Sequence, residues 1–252
     1  MHTVRGSEFR AQIRRKYAAE FQLHREVAEL LEPAVAAKRK MTDVVRIAID
    51  MHMTQGYKAH HSARLLAENA HAEDLATITR RLMELAAQAA YIGGEADEAI
   101  CEQRAGVYLA HLWRSAPHEL KAAIPAGPTK RWDSILAAWG AKLPKGRTWG
   151  PTYKAMFEAI GKSDVYEEDY SALSSVAHGS TEEALLHYSM ATVTIRSDLH
   201  VPVLLEYASR YYLALADIWN RWFDLVSRKR YDATLAKTLA TLNATRSPAE
   251  PG

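Results

Sequence analysis

The chain has 252 residues, 48% of them hydrophobic, enough for one large domain or two small ones with a well-filled core. Lys and Arg number 32 against 30 Asp and Glu, a formal charge of +2, which excludes the global basic field that draws proteins to nucleic acid or anionic membranes. One cysteine, Cys101, excludes an intramolecular disulfide and a multi-cysteine zinc site, and no window approaches the roughly 18 consecutive apolar residues of a membrane span.

A cytoplasmic protein with no membrane partner is the expectation. Gly6-Ser7-Glu8-Phe9 reads as the translation of two adjacent cloning sites, so residues 1–9 are expected to be a vector remnant or disordered. A single helical domain is expected over 10–245, with a polar, disordered tail over 246–252. The periodicity predicts a first helix over about 9–37, with Phe21, Val27, Leu30 and Leu31 on its apolar side and a disturbance at Pro33. Thr42 stands as N-cap of a second helix running through Val45, Ile49, Met53 and Tyr57, which Gly56 weakens in its middle. A third spans about 73–91 and closes at Gly93-Gly94, and a fourth spans about 95–113.

Pro117, Pro125, Pro128, Pro144 and Lys145-Gly-Arg-Thr-Trp-Gly-Pro151 then cut the pattern into short helical pieces, so 115–151 is expected to be an irregular connector or lid. Ser163 reads as the cap of the next helix, and a shorter one follows from about residue 181. Ala191-Thr-Val-Thr-Ile195 is the one β-branched run and is too short to argue a sheet. Long helices over about 201–226 and 229–244 close the pattern. The fold class is therefore all-α, a multi-helix bundle with a Pro/Gly-rich connector.

Two segments carry the candidate chemistry. In the third helix Arg80 and Glu84 are four apart and Arg81 and Glu84 three apart, spacings at which opposite charges pair. They interrupt an otherwise apolar stretch, where a charge is costly unless it is paired or used. Further on, Tyr170, Ser174 and His178 are spaced i, i+4, i+8 and share one helical stripe. Gly179 then suits a helix C-terminus and Ser180-Thr-Glu-Glu183 a capping box, which puts His178 at a helix corner.

The segments Asp74-Leu-Ala-Thr-Ile-Thr-Arg80-Arg-Leu-Met-Glu84 and Tyr170-Ser-Ala-Leu173-Ser174-Ser-Val-Ala-His178 together resemble an all-α bacterial family, domain-of-unknown-function family 5677. Its pattern is an R-x-x-x-E helix followed by Y-x-x-L-S-x-x-x-H, and the similarity covers roughly residues 41–200. The resemblance implies a helical fold and a polar pocket shared by Arg80, Glu84, Tyr170, Ser174 and His178. It implies no activity, and no cofactor is expected.

Brought together, these groups suit an anionic small molecule or a nucleic-acid phosphate. A His178 charge favoured by the helix dipole and by Glu84 would join Arg80 as an anion-binding and general-acid set, making His178, Arg80 and Glu84 the candidate catalytic residues. Tyr170, Ser174 and Arg81 are the candidate ligand-binding residues. Ser174 is a poor nucleophile candidate, because His178 lies one turn away on the same helix. A metal-independent hydrolase or nuclease in defence or stress extends this reading by analogy with other small helical nucleases. The competing expectation is a non-enzymatic interaction or dimerisation module in which the same residues form a satisfied network between helices.

Other patterns carry less. The HEPN ribonucleases use an Arg and a following His with four to six residues between them, and Arg46/His52, Arg64/His71 and Arg104/His111 match. Twenty Arg and 11 His scattered through 252 residues produce about that many matches by chance. Glu68-Asn-Ala-His71 is one Glu-x-x-His where a di-iron bundle needs two, and the adjacent His60 and His61 read as surface histidines, so no metal is expected. Tyr207, Tyr211, Tyr212, Trp219, Trp222 and Phe223 follow helical spacing, and their richness suggests a homodimer through the C-terminal helices.

Overall fold

Ala, Leu, Glu and Arg supply strong helix formers throughout, and the computed structural model is all-α; it describes residues 6–144, 148–177, 188–189, 192–193, 198 and 200–246. In chain order the helices are α1 (Gly6–Lys16), α2 (Ala18–Ala36), α3 (Val44–Glu68), α4 (Ala72–Gly93), α5 (Glu98–Ser115), α6 (His118–Ala123), α7 (Ala126–Trp139) and α8 (Tyr153–Ala159). After them α9 (Ser163–Val165), a π-helical stretch (Tyr166–Tyr170) and α10 (Ser171–Ala177) run on without a break, and α11 (Val201–Phe223) and α12 (Arg228–Arg246) complete the chain order. Tyr188–Ser189 pairs antiparallel with Thr192–Val193, a two-residue ladder that takes in two residues of the β-branched run. No helix is long and apolar enough to cross a membrane among the described residues.

At the centre lies α4, flanked by α3 and α11, with α5, α8 and α10 also against it. A helix surrounded on so many sides must be apolar nearly all round, and Leu75, Leu82, Met83, Leu85, Ala87, Ala89 and Ile92 are all buried. The caps explain where the helices start: Asp43 Oδ1 accepts from the Arg46 amide at 2.8 Å, and Asp97 Oδ1 from the Ala99 amide at 2.9 Å. Asp43, rather than Thr42, is thus the cap of α3.

Several expectations need correction. The first helix is disturbed at Tyr17, where φ is −118° and ψ 45°, and runs through Pro33. Pro33 is exposed near the C-terminal end of α2, where water can take up the carbonyl that its missing N–H leaves. Gly56 does more than weaken α3: a Cβ there would meet Leu215 Cδ2 at 2.4 Å, so the glycine lets α3 and α11 approach closely.

The Pro/Gly-rich region is more regular than its composition predicts. It carries the 14-residue α7, whose Pro128 lies in the first turn where no N–H is needed. Rather than covering the Arg80 face as a lid, α7 packs chiefly on α5. A Cβ on Gly106 would sit 2.4 Å from the Trp139 ring, Trp113 stacks on Trp132, and Trp113 Nε1 donates to Asp133 at 2.9 Å.

His60 is not a surface histidine. It is buried in the seam between α2, α3 and α11, its ring stacked 3.6 Å from that of His24 and 4.5 Å from Tyr212. His24 Nε2 donates to the His60 carbonyl at 3.0 Å, while His24 Nδ1, His60 Nε2 and the Tyr212 hydroxyl are buried without hydrogen-bond partners. Burial pushes the His24 imidazole down to about 3 and holds His60 well below the usual histidine range, so both rings are neutral.

Tyr207, Tyr211, Tyr212 and Trp219 are buried within the chain, so their abundance is not an argument for a second subunit.

Candidate functional site

Four of the six candidate site residues meet on one face of α4. Arg80 Nε donates to Glu84 Oε1 at 3.1 Å, one turn along the helix, and its Nη2 donates to the Tyr170 hydroxyl. The guanidinium also lies over the Tyr170 ring, 4.5 Å from its centroid. Arg81 turns the other way: Nη1 is 3.6 Å from Glu84 Oε2, and Nη2 donates to Gln55 on α3 at 2.8 Å. Glu84, with 13% of its side chain exposed, is therefore bracketed by two guanidinium groups.

Tyr170 reaches Arg80 because the π-helical stretch ends on it. Tyr166 stacks on Tyr170 at 4.7 Å, and the preceding residue, Asp169, points to α11. There the Asp169 carboxylate accepts from Tyr207 at 3.2 Å, from Arg210 at 3.3 Å and from Tyr211. Asp169 is buried, and these bonds anchor the turn that presents Tyr170. A π turn at such a place fits the frequency of these turns at functional sites.

The network runs inward beyond the predicted residues. Gln88, one turn after Glu84, donates to the Tyr153 hydroxyl at 3.2 Å, and its side-chain amide meets His52 Nε2 at 3.1 Å. His52 Nδ1 lies 2.7 Å from the Ala48 carbonyl, so the ring meets an oxygen on each side, and burial holds it below the usual histidine range. Gln88 had a legible signal, because Arg80, Glu84 and Gln88 form an i, i+4, i+8 stripe. Gln55, His52 and Tyr153 come from elements whose packing against α4 no local spacing reveals.

Burial pushes the Tyr170 phenol up even though Arg80 pulls it down, and burial with the Glu84 charge raises Tyr153. Both phenols are protonated at neutral pH. Because Tyr170 accepts from Arg80, its own O–H remains a donor. Ser174 lies one turn beyond Tyr170, its hydroxyl buried without a hydrogen-bond partner. His178 lies outside the described residues, as do Gly179, Ser180 and the expected capping box.

The other motif candidates separate. Arg46 donates to Asp43 and to the Trp222 carbonyl while His52 faces Gln88, and Arg64 pairs with Glu68. Arg104 donates to the Tyr91 carbonyl at 2.6 Å. Among the described residues no group of three or more His, Cys, Asp or Glu is placed to hold a metal ion. Comparison with protein-family models, with curated proteins and with solved structures finds no match.

Proposed function

We propose that the α4/α10 face is an anion-binding site, in which Arg80 and Arg81 receive a phosphate or carboxylate and the Tyr170 and Ser174 hydroxyls orient it. The observation that carries this reading is the Arg81 guanidinium: 42% of the side chain is exposed, and Glu84, its carboxylate neighbour, also bonds Arg80. An anion arriving from solvent meets a cation held in place by Gln55 and then the Tyr170 O–H, with the buried Ser174 hydroxyl one turn behind. The likeness to the uncharacterised family points to Arg80, Tyr170 and Ser174, together with Glu84 and His178, and not to Arg81. In the hydrolytic extension, His178 acts as general acid, with Glu84 and Arg80 supporting its charge and that of the leaving group.

Calorimetric titration with inorganic phosphate and with a short oligoribonucleotide tests this. One saturable site is expected, weakened roughly tenfold in Arg81→Gln with the melting temperature unchanged. Failure of both ligands to bind removes the reading. Oligoribonucleotide cleavage that His178→Ala abolishes would support the hydrolytic extension.

A second reading has its own observation. Arg80 to Tyr170, and His52 through Gln88 to Tyr153, tie α3, α4, α8 and α10 together. In a non-enzymatic interaction module these contacts are architectural, and His178→Ala lowers the melting temperature by several degrees. If the module dimerises through its C-terminal helices, mass in light scattering rises with concentration.

A further inference from the structure

A cleft of about 440 Å³ opens between α4, α8, α11 and α12, away from the Arg80 site. Its floor is made by Met83 and Ala87 of α4 and Phe157 of α8, each 4% exposed or less. These side chains offer no hydrogen bond, so the floor suits a hydrocarbon and rejects a polar body. The volume falls in the range of small-molecule sites, roughly 300–1,000 Å³.

The mouth has a different chemistry. Three cations, Lys162, Arg210 and Arg228, line it against one carboxylate, Asp217. Arg228 Nη1 already pairs with Asp217 at 2.6 Å. Arg210 pairs with Asp169 through Nη1 at 3.3 Å, and its remaining N–H donors can take an acid head while that buried carboxylate keeps its counter-charge. Lys162 is exposed and makes no ion pair among the described residues.

We propose that this cleft binds a monomeric amphiphile with a hydrocarbon chain and one anionic head, the chain on the Met83–Phe157 floor and the acid at Lys162 and Arg210. The inference stands apart from the α4/α10 reading: the Met83–Phe157 floor and Lys162 belong to the cleft alone, and Arg210 touches the other site only through Asp169.

The test is calorimetric titration of the full chain with dodecanoate below its micelle concentration. One equivalent binds saturably. Dodecanol, with the same chain and no charge, binds roughly tenfold more weakly, and Lys162→Glu weakens dodecanoate by a similar factor. Ala214 is exposed at the mouth, so Ala214→Trp plugs the cleft without entering the core and abolishes binding. If a lowered melting temperature shows that this variant is misfolded, Lys162→Glu carries the test alone. The proposal is overturned if dodecanoate does not saturate the native protein, if dodecanol binds as tightly, or if a folded Ala214→Trp binds as wild type does.

Discussion

The His24–His60 pair and the Arg80–Glu84–Tyr170 group both place polar side chains in helix seams, yet one is sealed in the core and the other reaches solvent. In the sealed seam the rings are neutral, stacked, and left with polar atoms that bond to nothing. At the α4 face the side chains keep partial exposure, and Arg80, Glu84 and Tyr170 are joined by hydrogen bonds. Depth decides which behaviour a polar residue adopts. A histidine, already neutral near pH 7, survives full burial, whereas the ionised Arg80–Glu84 pair is held by its mutual contact at the edge of the solvent.

Acid is the largest lever on this contrast. The folded His24 titrates near 3 and an unfolded one near 6.5, so the unfolded chain binds the extra proton between those values. Stability is therefore full above pH 6.5 and falls as the pH drops towards 3, by on the order of 5 kcal/mol from this ring alone. Urea titrations across that range check it. His24→Gln, whose amide can still donate to the His60 carbonyl, should be flatter with pH; an equally steep variant would break the comparison.

Removing Asp169, the buried carboxylate beside the site, comes next. Asp169→Ala leaves Arg210 and two tyrosine hydroxyls without their acceptor and should cost about 3 kcal/mol in denaturant unfolding. Glu84→Gln, in the half-exposed network, should cost about 1–2 kcal/mol, since Arg80 keeps its Tyr170 contact. The smallest effect on stability is expected for Arg81→Gln, within about 0.5 kcal/mol after solvent screening. That variant sharpens the contrast, because phosphate titration should register a loss that the melting curve does not.

Helix spacing made the Arg80–Glu84 pairing legible, because partners one turn apart are neighbours whatever the fold. Tyr170 could be paired with Arg80 only through the resemblance, since the residues are 90 positions apart and meet through packing. The sealed seam was legible in part. Val45, Ile49, Met53, Gly56, His60, Ala63 and Ala67 form one stripe, and His60 falls on it, although its neighbour His61 suggested an exposed pair. The ring waiting on the other side, His24, comes from a different helix and leaves no mark in local periodicity. In the connector the Pro residues obscured α7, because Pro in the first turn of a helix permits helix where composition suggests loop.

The widened turn at Tyr166–Tyr170 makes the chain intolerant of small changes in length at that point. Each residue added to or removed from a helix rotates the side chains beyond it by roughly 100°. Deleting one residue here would restore a regular helix before α10, and Asp169 and Tyr170 could no longer keep both of their present bearings. One of the two links, to Arg210 and its tyrosine neighbours or to Arg80, would open while every named side chain was still present. Related chains should therefore accept substitutions in this turn more readily than a change in its residue count.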